Sequence, residues 1–325
     1  MVSLKSLLVI VFVPIVITLV IVSIVPKSEK SIEVPIFVEP VITLQTFEDL
    51  LKNEKVGKFN LLKRDWNGTL AFKNIVLSEI DLSKINLESV NFINSTFTDV
   101  ILTKANMENM TFSGIIDNSN LVNATLVRAD MRGTYMSETN LSNAKLMLAD
   151  FTDVDVRNTD LSHADFWNAR LSDSIFTDTN FTGVNFWWAS LDGSNFSHSD
   201  FTSANLGGSY LVNATFTDAN LSDASFHYAS LHNADFTDAN LSNARFNTAD
   251  LYRTPFAGVG LSGVIFTGAN LTGTDLRGTG NLSVPLEEAK ERGAMVDDPA
   301  NPYPCPHPDW IVYGPSGDCR MIPSR

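Results

Sequence analysis

The chain has 325 residues, two cysteines and a formal net charge of −14 at pH 7. Between Arg170 and Arg245 it contains eight aspartates and no lysine or arginine. Because such a stretch repels phosphates, the composition argues against direct binding of DNA or RNA.

The N-terminal segment 1–26 is predicted to anchor the chain in a membrane. Residues from Ser6 to Pro26 carry no charge and are mostly Val, Ile and Leu. This length matches the roughly 20 residues that a bilayer-spanning helix needs. A cleaved signal peptide is the alternative, but its apolar part is normally about 7 to 15 residues and ends in a small-residue cleavage site. We therefore expect an uncleaved transmembrane helix over residues 6–26, which Pro14 does not prevent. Lysines flank both ends, so charge alone does not orient it.

A polar linker, residues 27–45, leads to an N-terminal cap over residues 46–71. The cap is predicted to contain a helix over Thr46–Val56, because Thr46 and Asp49 have the spacing of a capping box. The apolar face of this helix consists of three residues, Phe47, Leu50 and Leu51.

The next segment, residues 72–282, has a strict period of five. From Leu121 to Leu276, thirty-two consecutive pentads carry Leu, Phe, Met or Val at the same position, and the residue two before it is always Ala, Ser, Thr or Val. Neither the 3.6-residue helix period nor the 2-residue strand period keeps such a series on one face. The backbone must therefore turn a corner about every five residues, which predicts a solenoid.

The series also extends backward to Phe72, but in a register that differs by one residue. One residue is missing between Phe112 and Leu121. We expect a bulge or kink in the stretch from Ser113 to Ser119, marked by Gly114, where one side of the coil is short.

These pentads resemble the pentapeptide repeat family. Residues 219–223 read Ala-Asn-Leu-Ser-Asp and residues 239–243 read Ala-Asn-Leu-Ser-Asn, which match the family pattern at every position. The resemblance covers about two thirds of the chain. It implies an all-β solenoid, a right-handed quadrilateral β-helix with four pentads per coil and about ten coils. It implies little about function, because a repeat architecture supports many uses.

The sequence itself supports four sides. From Leu211 to Phe266 the inward residue alternates between Leu and Phe twelve times in a row. A coil of twenty residues keeps the two kinds in separate columns, whereas a coil of fifteen would mix them. The predicted phenylalanine column is Phe176, Phe196, Phe216, Phe236 and Phe256.

Residues 283–300 are predicted to form a C-terminal capping helix. It opens at Pro285, because proline suits the first turn of a helix, and it stops at Gly293. The helix passes through Leu286, Ala289 and Arg292.

The tail, residues 301–325, is rich in proline and holds both cysteines, Cys305 and Cys319. Thirteen residues separate them, and in an oxidising compartment such a pair is most simply a disulfide. A metal site that also uses His307 is the alternative, but it would be one ligand short. The disulfide favours a position outside the cytoplasm.

Asn-x-Ser/Thr sequons recur through the repeats. They are either glycosylation sites or a by-product of the repeat pattern, in which Asn precedes Leu or Phe and Ser or Thr follows. The sequons begin at Asn67, Asn94, Asn109, Asn123, Asn140, Asn180, Asn195, Asn213, Asn220, Asn240, Asn270 and Asn281.

Outward positions twenty residues apart are expected to stack on one face, and one face is unusually aromatic. Corresponding positions on the other three faces are mostly Ser, Thr and Asp. An exposed aromatic patch is a candidate contact site, because Trp and Tyr are enriched in interaction hot spots. The alternative is that Trp167 and Trp187 stack as a structural ladder, or that the chain termini cover them. The candidate patch is Met147, Trp167, Trp187, Trp188, His227 and Tyr228.

No catalytic motif is present, so we expect no enzyme, no cofactor and no metal site. We predict a membrane-tethered, extracytoplasmic repeat scaffold that contacts a protein or glycan partner, with end-to-end pairing of two rods left open. The family resemblance supplies an alternative, since some pentapeptide repeat proteins are acidic rods that resemble duplex DNA and occupy type II topoisomerases.

Overall fold

The computed structural model describes residues 7–13, 16–22, 43–66, 68–279, 286–296, 310–313 and 318–321. Within these ranges the helices are α1 (Leu44–Lys52), α2 (Val56–Arg64) and α3 (Leu286–Glu291). The strands are β1 (Leu7–Val13), β2 (Val16–Val22), β3 (Ala71–Lys73), β4 (Val76–Ser78), β5 (Asn91–Thr98), β6 (Thr111–Asp117), β7 (Tyr135–Ser137), β8 (Asp155–Arg157), β9 (Ile175–Thr177), β10 (Trp310–Tyr313) and β11 (Asp318–Met321).

The apolar N-terminal segment does not form the predicted helix. Strands β1 and β2 pair antiparallel, from Leu7 opposite Val22 to Val13 opposite Val16. Valine and isoleucine are β-branched and favour strands, and Pro14 between the two strands has no amide hydrogen to continue a helix. Across the described part of the chain, every helix is too short or too polar to cross a membrane.

The N-terminal cap consists of two helices, of which the sequence predicted one. Helix α1 begins at Leu44 rather than Thr46, because Thr43 is its N-cap and forms a reciprocal capping box with Thr46. The side chains of Phe47, Leu50 and Leu51 are buried as predicted. Helix α2 was not predicted, and its buried Phe59 packs edge-on against Phe47 at 5.2 Å between ring centroids.

The repeats form a parallel β-solenoid. The strands β3, β5, β6, β7, β8 and β9 lie side by side in that order and trace about five turns. Single-residue bridges continue the same pairing, so that ten successive parallel steps lead from Ala71 to Asn270. Each coil has four such pairings, which gives it four walls. In one coil they join Asn180 to Asp200, Asn185 to Asn205, Ser190 to Tyr210 and Asn195 to Thr215.

One coil is a residue short, as the change of register predicted. Thr111 pairs with Asp130, nineteen residues later, and the steps from Ile101 to Asn120 and from Asn106 to Thr125 are the same length, whereas the bridges of the other coils are twenty residues apart. The pairing of β5 with β6 shifts between Phe92 and Ser95, where Ser95 lies opposite Gly114. Gly114 has a φ of 136°, and a Cβ there would lie 2.0 Å from the backbone oxygen of Ser95. Only glycine fits this bulge.

The core is a set of stacked columns inside the coil. Phe216 stacks on Phe196 at 5.2 Å and on Phe236 at 5.3 Å, and all three are fully buried. Each such side chain contributes roughly 1.5 to 3 kcal/mol by burial. The smaller inward residues use their hydroxyls well: Ser199 donates to the carbonyl oxygen of Phe176 at 2.8 Å. Few buried polar groups of the solenoid are therefore left without a partner.

The C-terminal end of the solenoid is closed by α3 and the residues after it. Gly293 has a φ of 82° and ends the helix turn, as predicted. Met295 then pairs with Asp275 and extends the ladder. Arg292 donates to the carbonyl oxygens of Phe266 and Ala269, which lie at the open end of the coil.

The predicted disulfide lies partly outside the described residues. Cys319 is in β11, which pairs antiparallel with β10, but Cys305 and His307 fall in a range that the structure does not describe. The disulfide remains a prediction.

Candidate contact face

The predicted aromatic residues lie on one wall of the solenoid. Asp165, Asn185 and Asn205 pair in steps of twenty, so the residues that follow them are stacked coil on coil. Below, "the aromatic face" means Met147, Leu148, Trp167, Trp187, Trp188, His227 and Tyr228.

The backbone under this face is held by side-chain caps. The Oδ1 atoms of Asp165, Asn185 and Asn205 accept from the backbone N–H of the residue two positions later, at 3.1, 3.3 and 3.2 Å. The same side chains form a ladder between coils, because Asn185 donates to Asp165 at 2.8 Å and Asn205 donates to Asn185 at 3.1 Å. Each corner is therefore fixed both within its coil and to its neighbour.

The second corner residue of each pentad has a left-handed backbone. At most such positions the residue is Asn, Asp or Gly, which tolerate a positive φ. The aromatic face instead places Leu148, Trp188 and Tyr228 there, with φ of 62°, 60° and 61°. A left-handed conformation costs an ordinary residue about 1–2 kcal/mol. These three side chains are 36%, 46% and 58% exposed, so burial does not explain their presence.

Two glycines make room for the two adjacent tryptophans. Gly207 and Gly208 follow Trp187 and Trp188 by one coil, and both glycines are buried. A Cβ on Gly207 would lie 2.1 Å from the ring of Trp187, and a Cβ on Gly208 would lie 3.0 Å from the ring of Trp188. Each indole therefore rests directly on the backbone of the next coil.

The remaining rings complete the face. Trp187 and Trp188 meet edge-on, with centroids 6.3 Å apart and planes at 87°. Tyr228 and His227 are 4.0 Å apart, and Trp167 is 41% exposed. The ring contact of Trp187 is thus with Trp188, rather than the predicted ladder with Trp167. The other alternative, a cover formed by the termini, involves side chains outside those that the structure describes.

Sequence reasoning brought the six predicted residues to one wall but missed three others. Leu148 is exposed, whereas its predicted neighbour Met147 is half-buried. Gly207 and Gly208 were visible in the same columns, twenty residues after the tryptophans, but their role required knowing which way the indoles lie.

The wall two sides away carries acidic residues at the same left-handed positions. Below, "the acidic face" means Glu138, Asp178, His198, Asp218 and Asp238, which have φ from 49° to 61°. His198 Nδ1 lies 3.7 Å from an Asp218 carboxylate oxygen. A wall between the two faces holds His232, whose Nε2 is 2.6 Å from Asp250 Oδ2. Burial raises the pKa of Asp250, but hydrogen bonds from His232 and the Tyr252 backbone outweigh it and hold this pKa below its usual range.

In the ranges that the structure describes, no group of three or more His, Cys, Asp or Glu side chains is placed to hold a metal ion. The His232–Asp250 pair is partly exposed.

Comparison with solved structures finds several similar chains. One is HetL, a pentapeptide repeat protein involved in heterocyst differentiation regulation from the cyanobacterium Nostoc sp. strain PCC 7120. It is 24% identical, with a TM-score of 0.45, over 66% of this chain and 94% of that chain. Another is QnrB1, a plasmid-mediated fluoroquinolone resistance protein, at 19% identity and a TM-score of 0.32 over 61% of this chain and 90% of that chain.

A third is a pentapeptide repeat protein from the Arabidopsis thaliana thylakoid lumen. It is 26% identical, with a TM-score of 0.22, over 32% of this chain and 66% of that chain. Among curated proteins, none matches this chain.

Family models match most of the solenoid. The model of the pentapeptide repeat region matches residues 179–256. The model of pentapeptide repeats in eight copies matches residues 72–109, 115–153, 149–187 and 244–279. With the period of five and the four-walled coil, these matches show that the chain belongs to the pentapeptide repeat family.

Proposed function

We propose that this protein is a non-enzymatic scaffold, tethered to a membrane with its solenoid on the extracytoplasmic side, whose aromatic face contacts a protein or glycan partner. Pentapeptide repeat proteins are generally non-catalytic scaffolds, which is consistent with this role. The rigid coil would hold the contact face at a fixed distance from the membrane.

The observation that carries the proposal is the strained placement of exposed apolar side chains. Trp188 and Tyr228 occupy left-handed positions that Asn or Asp would fill without strain, yet both rings face solvent. A left-handed backbone recurs in the pentads, where it is mostly occupied by Asn, Asp or Gly, so the fold does not require large exposed aromatic side chains at these positions. Large exposed aromatic residues are also the usual anchors of protein contacts.

The test is a double substitution, Trp187→Ser with Trp188→Ser, in the full chain. We expect the variant to keep its circular dichroism spectrum and its thermal midpoint within a few degrees, because the core columns are untouched. Mild crosslinking on intact cells should then lose the crosslinked species that the wild type gives.

A matched control is Asp218→Ser with Thr217→Ser, at equivalent positions of the acidic face. This variant should retain the crosslinked species. If the tryptophan variant unfolds, the patch is structural and the proposal fails; if both variants crosslink like the wild type, the aromatic face is not the contact site.

The membrane tether is proposed from the apolar, uncharged composition of residues 6–26, in which β1 and β2 form a hairpin rather than a spanning helix. If it is correct, the full chain should resist extraction from membranes by alkaline carbonate, and a chain starting at residue 27 should be released.

Cys305 and Cys319 provide the orientation test. An impermeant thiol reagent applied to intact cells after reduction should label them if the tail is outside.

The second candidate function is the acidic rod that engages a DNA-handling enzyme such as a type II topoisomerase. The observation in its favour is the column of Asp178, Asp218 and Asp238 on the acidic face, in a stretch without lysine or arginine. If the thiol reagent labels Cys305 and Cys319 only after cell lysis, this function is favoured, because the solenoid would then face the compartment that holds DNA.

A further inference from the structure

In the left-handed column of the aromatic face, the large side chains recur on alternate coils. Leu148, Trp188 and Tyr228 occupy the left-handed column, and the coils between them carry Asn168 and Gly208. Adjacent strands lie roughly 4.8 Å apart, so equivalent rings two coils apart are separated by about 10 Å. The rings of Trp188 and Tyr228 therefore lie two coils apart, with Gly207 and Gly208 on the coil between them.

The rings are held in position before any ligand binds. The indole of Trp188 lies over buried Gly208, with no side chain between ring and backbone, and Trp187 packs edge-on against it at 87°. Tyr228 is held against His227 at 4.0 Å. Preorganised rings on a rigid wall lose little entropy on binding.

The rims are uncharged along the three coils that run from Trp187 to Tyr228. One rim carries Asn185, Asn205 and Ser225, and the other carries Ser190, Tyr210 and Ser230. Charged residues flank the part of the face that carries Leu148 and Trp167, namely Lys145, Asp150, Asp165 and Arg170, and they return after the stretch with Arg245 and Asp250. Apolar rings between amide and hydroxyl rims do not suit a charged peptide or a phosphate, but they suit a neutral ligand rich in hydroxyl groups.

We infer that the aromatic face binds a neutral, extended polysaccharide of β-1,4-linked pyranose sugars. Such a sugar has an apolar C–H face that stacks on the negative face of an aromatic ring. Equatorial linkage turns each sugar over relative to the one before it, so the same face recurs at every second sugar. That repeat would match rings on alternate coils, with hydroxyl groups reaching the rims. The inference rests on the proposed contact role of the face and names its partner.

The experiment is a titration of the purified full chain, in a detergent without a sugar headgroup. The probe is cellohexaose, which is β-1,4-linked, and the matched ligand is maltohexaose, which has the same sugars in a curved α-1,4 chain. We expect cellohexaose to change tryptophan fluorescence and to bind at least about tenfold more tightly than maltohexaose. Equal binding of both ligands, or no binding of cellohexaose, would overturn the inference.

Two variants locate the site. Trp188→Asn and Tyr228→Asn should each weaken cellohexaose binding by about tenfold or more, since loss of one anchor ring is of that size. Asparagine suits the left-handed backbone, so both variants should fold, and the thermal midpoint checks this. Asp218→Asn on the acidic face should bind as the wild type does. Unchanged affinity in both ring variants would place sugar binding elsewhere and sink the inference.

Sugar binding and the proposed contact role can fail independently of each other. If cellohexaose fails to bind but the tryptophan double substitution still abolishes cell-surface crosslinking, the sugar inference is wrong and the contact role stands. If the crosslinked species also persists, both are wrong.

Discussion

The aromatic face and the acidic face are built on the same backbone and differ only in what projects from it. Trp188 and Asp218 have φ of 60° and 57°, and phenylalanine columns lie behind both walls. Asx side chains cap the corners of several walls in the same way, as Asp200 does for the N–H of Thr202 at 2.9 Å. The inward pentad positions thus set the fold, and the outward positions are free to differ. Departures from the repeat, rather than the repeat itself, carry the functional information.

The largest expected effect tests the shared core. Phe216 lies behind the acidic face, and Phe226 lies behind the aromatic face, where its ring stacks on that of Phe246 at 4.7 Å. The two variants to compare are Phe216→Ala and Phe226→Ala. Each should lower the free energy of unfolding by about 3–5 kcal/mol, because each leaves a cavity in a stacked column. Urea unfolding followed by circular dichroism measures it. Thr217→Ala, on the outer surface, should stay within about 0.5 kcal/mol of the wild type. A large difference between the two phenylalanine variants would mean that the faces do not share one core.

The next effect concerns Gly207, which lies beneath the Trp187 ring and has no counterpart on the acidic face. Gly207→Ala should lower stability by about 1–3 kcal/mol and push the Trp187 ring away, because the new Cβ would lie 2.1 Å from that ring. The shift should appear in tryptophan emission and near-ultraviolet circular dichroism. Gly260→Ala is the control, since no atom lies within 4 Å of its added Cβ. Unaltered tryptophan spectra in Gly207→Ala would show that the indoles do not rest on this backbone.

A smaller effect of opposite sign is expected at the left-handed corner itself. Tyr228→Asn should raise the free energy of unfolding by up to about 1 kcal/mol, because asparagine relieves the backbone strain and Tyr228 is 58% exposed. In Asp218→Asn, the original residue and its replacement both tolerate a positive φ. The free energy of unfolding of this variant should therefore stay within about 0.5 kcal/mol of the wild-type value. Thermal unfolding of both variants provides the measurement. If Tyr228→Asn destabilises the solenoid, the ring is there for packing.

The smallest effect concerns a wall between the two faces. Arg132 donates to both carboxylate oxygens of Asp130 at 2.9 and 2.8 Å, and this side-chain hydrogen bond lowers the pKa of Asp130. A lowered folded-state pKa stabilises the fold above the unfolded value of about 3.9, and this contribution is lost as the pH falls through the folded pKa. Arg132→Met should therefore be slightly less stable than the wild type at pH 7 and equal to it in strong acid. A difference that persists in strong acid would assign the role of Arg132 to packing.

Much of the fold could be predicted because the period of five is a direct record of backbone geometry. The short coil followed from the register change between Phe112 and Leu121, and the stacked column from the regular placement of Phe216 and Phe236. Both predictions follow from the sequence positions of the inward residues alone, because the backbone must turn every five residues to keep these side chains inside the coil.

The parts without a repeat were predicted less well. Residues 6–26 fit the length of a membrane helix, yet their β-branched composition equally suits the two strands that the structure has. Helix α2 was missed because its sequence, with Gly57 in the first turn, has a weak apolar pattern. At the candidate face, the column of each residue could be predicted, but the orientation of Trp187 and Trp188 over the glycines depends on side-chain rotation.

The nineteen-residue coil at Gly114 is the point at which the register of the solenoid changes. On either side of it, whole coils could be inserted or removed by genetic duplication without turning any wall, because each coil repeats the same circuit. A single-residue loss elsewhere would rotate every later wall out of line unless a glycine allowed the chain to close the gap. The spacing between the N-terminal cap and the aromatic face is therefore adjustable in whole-coil increments.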